Sequence, residues 1–287
     1  MTSDSASQHT DIIMRLEGSG AADLLHGQTT ADFSACQERD VRYAAFCNPK
    51  GRVLADVRVV VIHSNEMLLR GRREVMLQLG EHLKPFLAFA RSTLTPTDWQ
   101  VSITPAGEAT DKAVLERLDA SLERFALPAE GQWQEIWSPA TAHREDVEDD
   151  GTWHDILAAR ARVEAATVGA YLPQDLNYDL NQTVSFSKGC YTGQEIVARL
   201  HYRGTPKRRL HRAAVDAGAE PGDLLVNTGE HTVGSVVNSC RRHGVSELLI
   251  ELVPDATNEN VALKTNGAEL SNISRCHSEI DQSTAPR

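Results

Sequence analysis

The stretch that decides how this chain is read is SFSKGCYTGQEIVARLHYRG, residues Ser185–Gly204. Cys190 follows Lys188 and Gly189 and stands just before an apolar-periodic run with Ile196, Val197 and Leu200. A helix starting near Tyr191 would put Cys190 at its N-terminal end. Unpaired N–H groups and the positive end of the helix dipole favour a thiolate there. Lys188 adds a nearby cation, and Arg199 and His201 are candidates for more. Gly189 and Gly193 allow a backbone or a ligand to come close. A second reading stays open, in which Cys190 is a buried structural thiol behaving as a small hydrophobe.

Outward from this segment, the chain has 287 residues with 29 Lys+Arg against 40 Asp+Glu, a formal net charge of −11. Hydrophobic residues make up 41% and charged residues 24%, ordinary values for a globular protein. A chain near this length buries about 75% of its unfolded surface and needs no staple. The composition excludes whole-chain disorder, collagen and coiled coil. The negative balance argues against a nucleic-acid coat or a membrane-surface binder while leaving room for a local basic site. No apolar run approaches the ~20 residues of a membrane span. The start, MTSDSASQHTD, reads as a polar leader without secretory character. Five widely spaced cysteines without a C-x-x-C fit free thiols in a reducing cytosol, so a cytoplasmic location is expected.

Apolar patterning gives strands at residues 12–16, 43–47, 52–62, 66–70 and 99–104, with a tight turn at Asn48-Pro49-Lys50-Gly51. Helices are expected over residues 19–26, 73–83 (ending before Pro85), 111–125 and 152–166. An acidic run at residues 145–150 reads as a solvated loop, and residues 172–181 as a polar loop. From about Arg208, short β-rich pieces alternate with Gly, Asn and Asp turns, the pattern of a small antiparallel barrel or sandwich, followed by a loose tail after Ser271. The fold class is α+β. Three regions are expected, at 8–150, 151–207 and 208–287.

KGCYTGQE (Lys188–Glu195), with Ile196-Val197-Ala198-Arg199 and Arg203-Gly204, resembles the signature of the YgfZ-type folate-binding proteins, relatives of the aminomethyltransferase T-protein of glycine cleavage. Four further elements follow the family's order. They are GQTTAD (Gly27–Asp32), Cys47-Asn48-Pro49-Lys50-Gly51-Arg52, Val163-Glu164-Ala165, and Leu172-Pro173-Gln174 with Asn177. Two places depart from the pattern. Asp56 is the single carboxylate where T-protein-like enzymes carry Asp-Asp, and Glu164-Ala165 is followed by Ala166-Thr167-Val168 without the family's Gly and Pro.

The resemblance implies aminomethyltransferase-like lobes around a cavity for tetrahydrofolate or a one-carbon derivative, with a small C-terminal antiparallel β-barrel. It implies support for the assembly or repair of iron–sulfur client enzymes, including one that methylthiolates tRNA, and a motif cysteine needed for that role. By the same resemblance, Cys190 and Asp56 are the catalytic candidates. Glu164, Asp56, Gln174, Tyr191, Gln194 and Arg199 are the folate-contacting candidates. Lys188, Gly189, Gly193 and Glu195 support the motif.

Chemistry agrees with parts of this list. A reduced pterin presents a row of N–H donors, for which a carboxylate such as Glu164 is the natural acceptor, although periodicity alone makes Glu164 a surface residue. Asp56 alternates with apolar neighbours along a strand and faces either a cavity or water; in a cavity it would protonate or orient a one-carbon unit. Residues 199–212 hold six Lys/Arg and no acid. They form either a site for a folate's anionic tail or for a phosphate, or a solvated connection. Tyr202 is the single aromatic among them, so no stable nucleic-acid binding is expected. Cys240-Arg241-Arg242-His243 lacks a second metal-ligand pair, and no metal site is expected. Two alternatives accompany the maturation-factor reading: a folate-dependent aminomethyl- or methyltransferase, and a non-catalytic folate-binding module that docks clients.

Overall fold

Apolar side chains recurring along extended segments build the first sheet. The computed structural model describes residues 11–106, 112–117, 123–128, 132–142, 151–257 and 263–276. The polar leader and the acidic run lie outside them. Strands β1 (Asp11–Gly18), β2 (Val41–Cys47), β3 (Val53–His63), β4 (Glu66–Arg72) and β5 (Ser92–Pro96) form a sheet in the order β2-β3-β4-β1-β5. Two compact units divide the chain. The first holds residues 1–26, 33–43 and 57–151, and the second holds 27–32, 44–56 and 152–287.

Helix α1 (Ala21–Gln28) follows β1 in the chain. In the first unit, helix α2 (Arg73–Phe89) buries Val75, Met76, Leu79, Leu83 and Leu87. It runs through Pro85, where the sequence predicts a stop. Proline costs one amide donor, but Pro85 lies on the exposed face, where water reaches the orphaned carbonyl, and the buried Leu83 and Leu87 hold the turns on either side. Residues 111–125 correct a second expectation. The described part is a hairpin, not a helix, with β7 (Val114–Arg117) pairing β8 (Glu123–Ala126). Phe125 sits opposite Trp137 of β9 (Trp133–Pro139), and both side chains belong to one buried cluster with Ile13, Val60 and Leu68. Packing between strands overrides the local helical spacing. With β6 (Trp99–Pro105) these strands make a second sheet, β6-β9-β8-β7.

A buried ionic network closes the first unit. Glu135 accepts from Arg58, Arg70 and the Trp137 indole, and Arg70 and Arg72 share Asp11. Burial alone would raise the Glu135 carboxyl, but Arg58 and Arg70 outweigh it and hold it at about 2.

In the second unit, helix α3 (Thr152–Leu157) is shorter than the helix expected over 152–166. It ends as Ala159 turns to φ 54° and the Arg160 amide donates to the Asp155 carbonyl. The next residues extend and lead to a short 3₁₀ turn at Ala165–Thr167. Much of the segment expected as a polar loop is buried. Pro173, Gln174, Asp175, Leu176, Asn177 and Tyr178 are all in the interior, with Asn177 in the left-handed conformation at φ 56°. Helix α4 (Gln194–Arg203) follows. The C-terminal part is a closed antiparallel barrel of β10 (Arg209–Val215), β11 (Leu224–Val226), β12 (Thr232–Arg242), β13 (Val245–Leu252), β14 (Lys264–Thr265) and β15 (Ala268–Arg275), ordered β10-β13-β12-β11-β14-β15. Its core includes Val215, Leu225, Val236, Leu248 and Ile250. The loose tail expected after Ser271 is corrected as far as Arg275, because β15 pairs with β10 and closes the ring.

Candidate functional site

Three sequence motifs, separated by up to some 160 residues, converge on the loop before α4. Gly193 caps α4 at φ 86°, and a Cβ there would lie 2.5 Å from the Asn48 carbonyl oxygen. Gly51 sits at φ 72°, where a Cβ would meet Ile196 at 3.0 Å. Two glycines thus let the Asn48–Gly51 turn and the Tyr191–Gly193 turn touch through their backbones. Asn48 shapes its own turn by accepting from the Lys50 and Arg52 amides at 2.9 and 3.0 Å. The GQTTAD segment supplies the third side. The Gly27 carbonyl takes the Thr192 amide at 3.3 Å, Gln28 takes the Thr192 hydroxyl at 3.2 Å, and the Thr29 carbonyl takes Lys188 Nζ at 2.7 Å.

Cys190 is exposed on this platform. Its Sγ accepts from Gln194 Nε2 at 3.4 Å, and Gln194 Oε1 accepts the Tyr191 amide at 3.3 Å. The helix begins at Gln194 rather than near Tyr191, because Gly193 takes the left-handed turn that starts it. Cys190 therefore lies three residues before the cap, outside the first helical turn. Two of the expected cations are also committed elsewhere. Arg199 pairs with Glu195 at 2.5 Å on the exposed side of α4, and His201 stacks on Phe186. Lys188 remains the neighbour. Its amine is half-buried, lies 4.8 Å from the centre of the Tyr191 ring, and is pushed down to about 8 by burial against the opposing charges of Asp32 and Cys190. Burial pushes the Tyr191 phenol above its ordinary range. Cys47, packed under Gly193, is pushed up to about 12 by burial.

Asp56 and Glu164 belong to a second cluster in the same unit. Asp56 is 9% exposed, and both its oxygens are engaged, by the Val163 amide and by Arg162 Nε, each at 2.6 Å. Arg162 also reaches Asp155 at 3.1 Å, and its amide donates to Asn238 at 2.8 Å. Asn238 returns a hydrogen bond to Glu164 Oε1 at 3.1 Å. Asp56 thus fixes the segment that presents Glu164. Gln174 is fully buried. Its Nε2 donates to the Val197 carbonyl of α4 at 2.8 Å, while its Oε1 has no hydrogen-bond partner among the described residues. The structure brings Lys188, Cys190, Tyr191 and Gln194 into one group, Asp56 and Glu164 into another, and ties Gln174 to α4. Gly189 lies exposed between Lys188 and Cys190.

Sequence reasoning missed Arg162, Asp155 and Asn238. Arg162 stands one residue before the Val163-Glu164-Ala165 element, and that adjacency was the available signal. The basic stretch is partly neutralised in space. Arg208 pairs with Glu251, and Arg209 forms a fork with Asp179 at 2.7 and 3.0 Å. No disulfide joins the cysteines. Among the described residues no cluster of His, Cys, Asp or Glu is arranged to hold a metal, and no helix is long and apolar enough to cross a membrane.

Comparison with known proteins follows the same lines. No family model matches the chain. It is 30% identical to the tRNA-modifying protein YgfZ of Pectobacterium carotovorum subsp. carotovorum, over 85% of this chain and 82% of that protein. It is 29% identical to the protein of that name from Sodalis glossinidius, over 80% of this chain and 78% of the relative. Among solved structures, the glycine cleavage system aminomethyltransferase T from Bartonella henselae matches with a TM-score of 0.64 at 13% identity, over 95% of this chain and 84% of that one. That likeness establishes the fold.

Proposed function

Because the chain belongs to the family of the tRNA-modifying protein YgfZ, we propose that it is a tetrahydrofolate-binding factor supporting the assembly or repair of iron–sulfur enzymes, tRNA-methylthiolating ones included, through the thiol of Cys190. One observation carries this reading: an exposed cysteine held on a platform that three separate motifs and two close-packed glycines build. An inert core thiol needs no such platform, and Cys47 beneath it is the contrasting case.

The residues present fit a reduced folate. The Glu164 carboxylate is partly exposed and is oriented by Asn238. Acceptors of this kind suit the N–H edge of a pterin. Glu164 would hold the ring, and the bound folate supplies a carrier for a one-carbon unit. Asp56 acts at one remove, because both its oxygens are spent on Arg162 and Val163. This favours the maturation factor over a transferase that needs Asp56 open to its substrate. The chain's own contribution at Cys190 is positional. Gln194 fixes the sulfur, and Lys188 holds an amine poised to exchange a proton near pH 8 beside it.

Titration calorimetry with tetrahydrofolate checks the first part. Heat of binding is expected from the parent protein and a clear loss from Glu164→Gln; absence of binding by the parent overturns the reading. Cys190→Ala in cells is expected to lower the activity of an iron–sulfur reporter enzyme while tetrahydrofolate binding persists. Full reporter activity would remove the thiol from the mechanism.

A further inference from the structure

We propose that Phe186, His201 and Tyr202, flanked by Arg203 and Lys207, form a stacking site for a single-stranded segment of RNA. The proposal rests on the reading that the Cys190 loop is the working site, and it adds direct RNA contact to it.

Sequence shows one aromatic, Tyr202, within the basic stretch, but the fold assembles three. Phe186 comes from the loop that carries Cys190, four residues before it. Its ring stacks on His201 with centroids 3.6 Å apart and planes 10° from parallel. Tyr202 stands edge-on to both, at 6.2 Å and 74° from Phe186 and 4.8 Å and 78° from His201. Its hydroxyl donates to the Phe186 carbonyl at 3.4 Å, which ties the ring to the loop. Tyr202 nevertheless remains 66% exposed. Scattered exposed aromatics are common and need no explanation, but here the Phe186–His201 stack holds the exposed Tyr202 ring in a fixed edge-on orientation, ready for a partner.

Charge selects the kind of partner. On a chain of net charge −11, Arg203 and Lys207 are exposed within two and six residues of His201. An exposed, fixed aromatic ring within a stretch of exposed cations suits unstacked bases and their phosphates, and it is sequence-tolerant because every base has a π-face. A duplex hides its bases and gains nothing from the rings. Two phosphate-binding cations give a salt dependence with a log–log slope of about −1.4, from −0.7 per contact on single strands. Such a complex is weak and transient, consistent with the expectation that no stable nucleic-acid complex forms.

The test uses the full chain, a fluorescein-labelled short oligoadenylate and an RNA duplex of equal length, followed by anisotropy at low salt. Single-strand binding well above duplex binding is expected. Tyr202→Ala should weaken it about ten-fold, Tyr202→Phe should retain it, and Arg203→Gln or Lys207→Gln should each reduce the salt slope by about 0.7. Equal affinity for both RNAs, or an unchanged affinity in Tyr202→Ala, overturns the proposal. Dependence on Tyr202 seen with an iron–sulfur client protein but not with RNA overturns it in favour of a protein partner. Tetrahydrofolate binding is measured on the same samples. RNA failure with folate binding intact sinks this proposal alone, and loss of folate binding by the parent sinks the functional reading instead.

Discussion

Asp56 and Cys190 sit in the same unit, each among polar neighbours, yet those neighbours are used in opposite ways. Around Asp56 every identified contact is inward. Arg162, Asp155 and Asn238 are buried, and the carboxylate accepts at both oxygens. Around Cys190 the sulfur has one long hydrogen bond, an exposed position and a half-buried amine as neighbour. In a low-dielectric interior an unmatched charge is too costly, so polar groups there must be saturated and therefore serve architecture. A polar group at the surface escapes that demand and remains available for chemistry. Residue type says little about which role a side chain takes; burial decides.

The largest expected effect tests the saturated side. Arg162→Met leaves Asp56 and Asp155 buried without their cation, a change that costs on the order of 3–5 kcal/mol. Urea unfolding followed by circular dichroism measures it. Combining Arg162→Met with Asp56→Leu should recover part of the loss, because the paired apolar replacement no longer strands a charge. A loss under about 1 kcal/mol in the single variant would show that the cluster is not the anchor described. Gly193→Ala comes next. Its φ of 86° and the 2.5 Å approach to Asn48 call for a penalty of about 1–3 kcal/mol. A stability equal to the parent's would mean that the two turns need no close contact.

Much of the architecture was legible in the sequence because it depends on local signals. The apolar runs of β1, β3 and β4, the Asn48–Gly51 turn and the succession of short barrel strands all lie within short windows. The failures have one physical source, competition between local preference and distant packing. Residues 114–117 and 123–126 pair as strands because Phe125 packs against Trp137. Residues 173–177, read as part of a polar loop, are buried because Asn177 and Gln174 find partners at Cys276 and Val197. The site motif was recognisable as a unit, while the group that fixes Glu164 was not. Arg162 meets Asp56 across 106 residues and Asn238 across 76, separations at which spacing carries no signal.

On the open side, Cys190→Ser is expected to change stability by less than about 0.5 kcal/mol, as an exposed substitution should. The same exposure sets an order of alkylation in the parent. Cys190 should react with iodoacetamide ahead of Cys47 and Cys276, whose thiols are buried and pushed up to about 12. Peptide mapping by mass spectrometry reads the order directly, and Cys47 or Cys276 reacting first would contradict the placement.

The smallest effect separates the two regions by pH. Burial favours the neutral amine of Lys188 and places its folded value at about 8, against an ordinary 10.5. Between these values the unfolded chain holds a proton that the folded chain has released. Stability contributed at this position therefore rises as pH climbs from about 8 to 10.5, and the cost of burying the cation is fully present below 8. Lys188→Met removes that titration and should flatten the rise relative to the parent, with the two curves running parallel below pH 8. Half of the group still meets water, so solvent screening keeps the difference small. Denaturant titrations of both proteins across this range give the difference curve, and only the difference matters because buried tyrosines and thiols titrate in both. Parallel curves up to pH 10.5 would mean that the amine is as well hydrated as a free lysine. The platform would then hold Cys190 without tuning the base beside it.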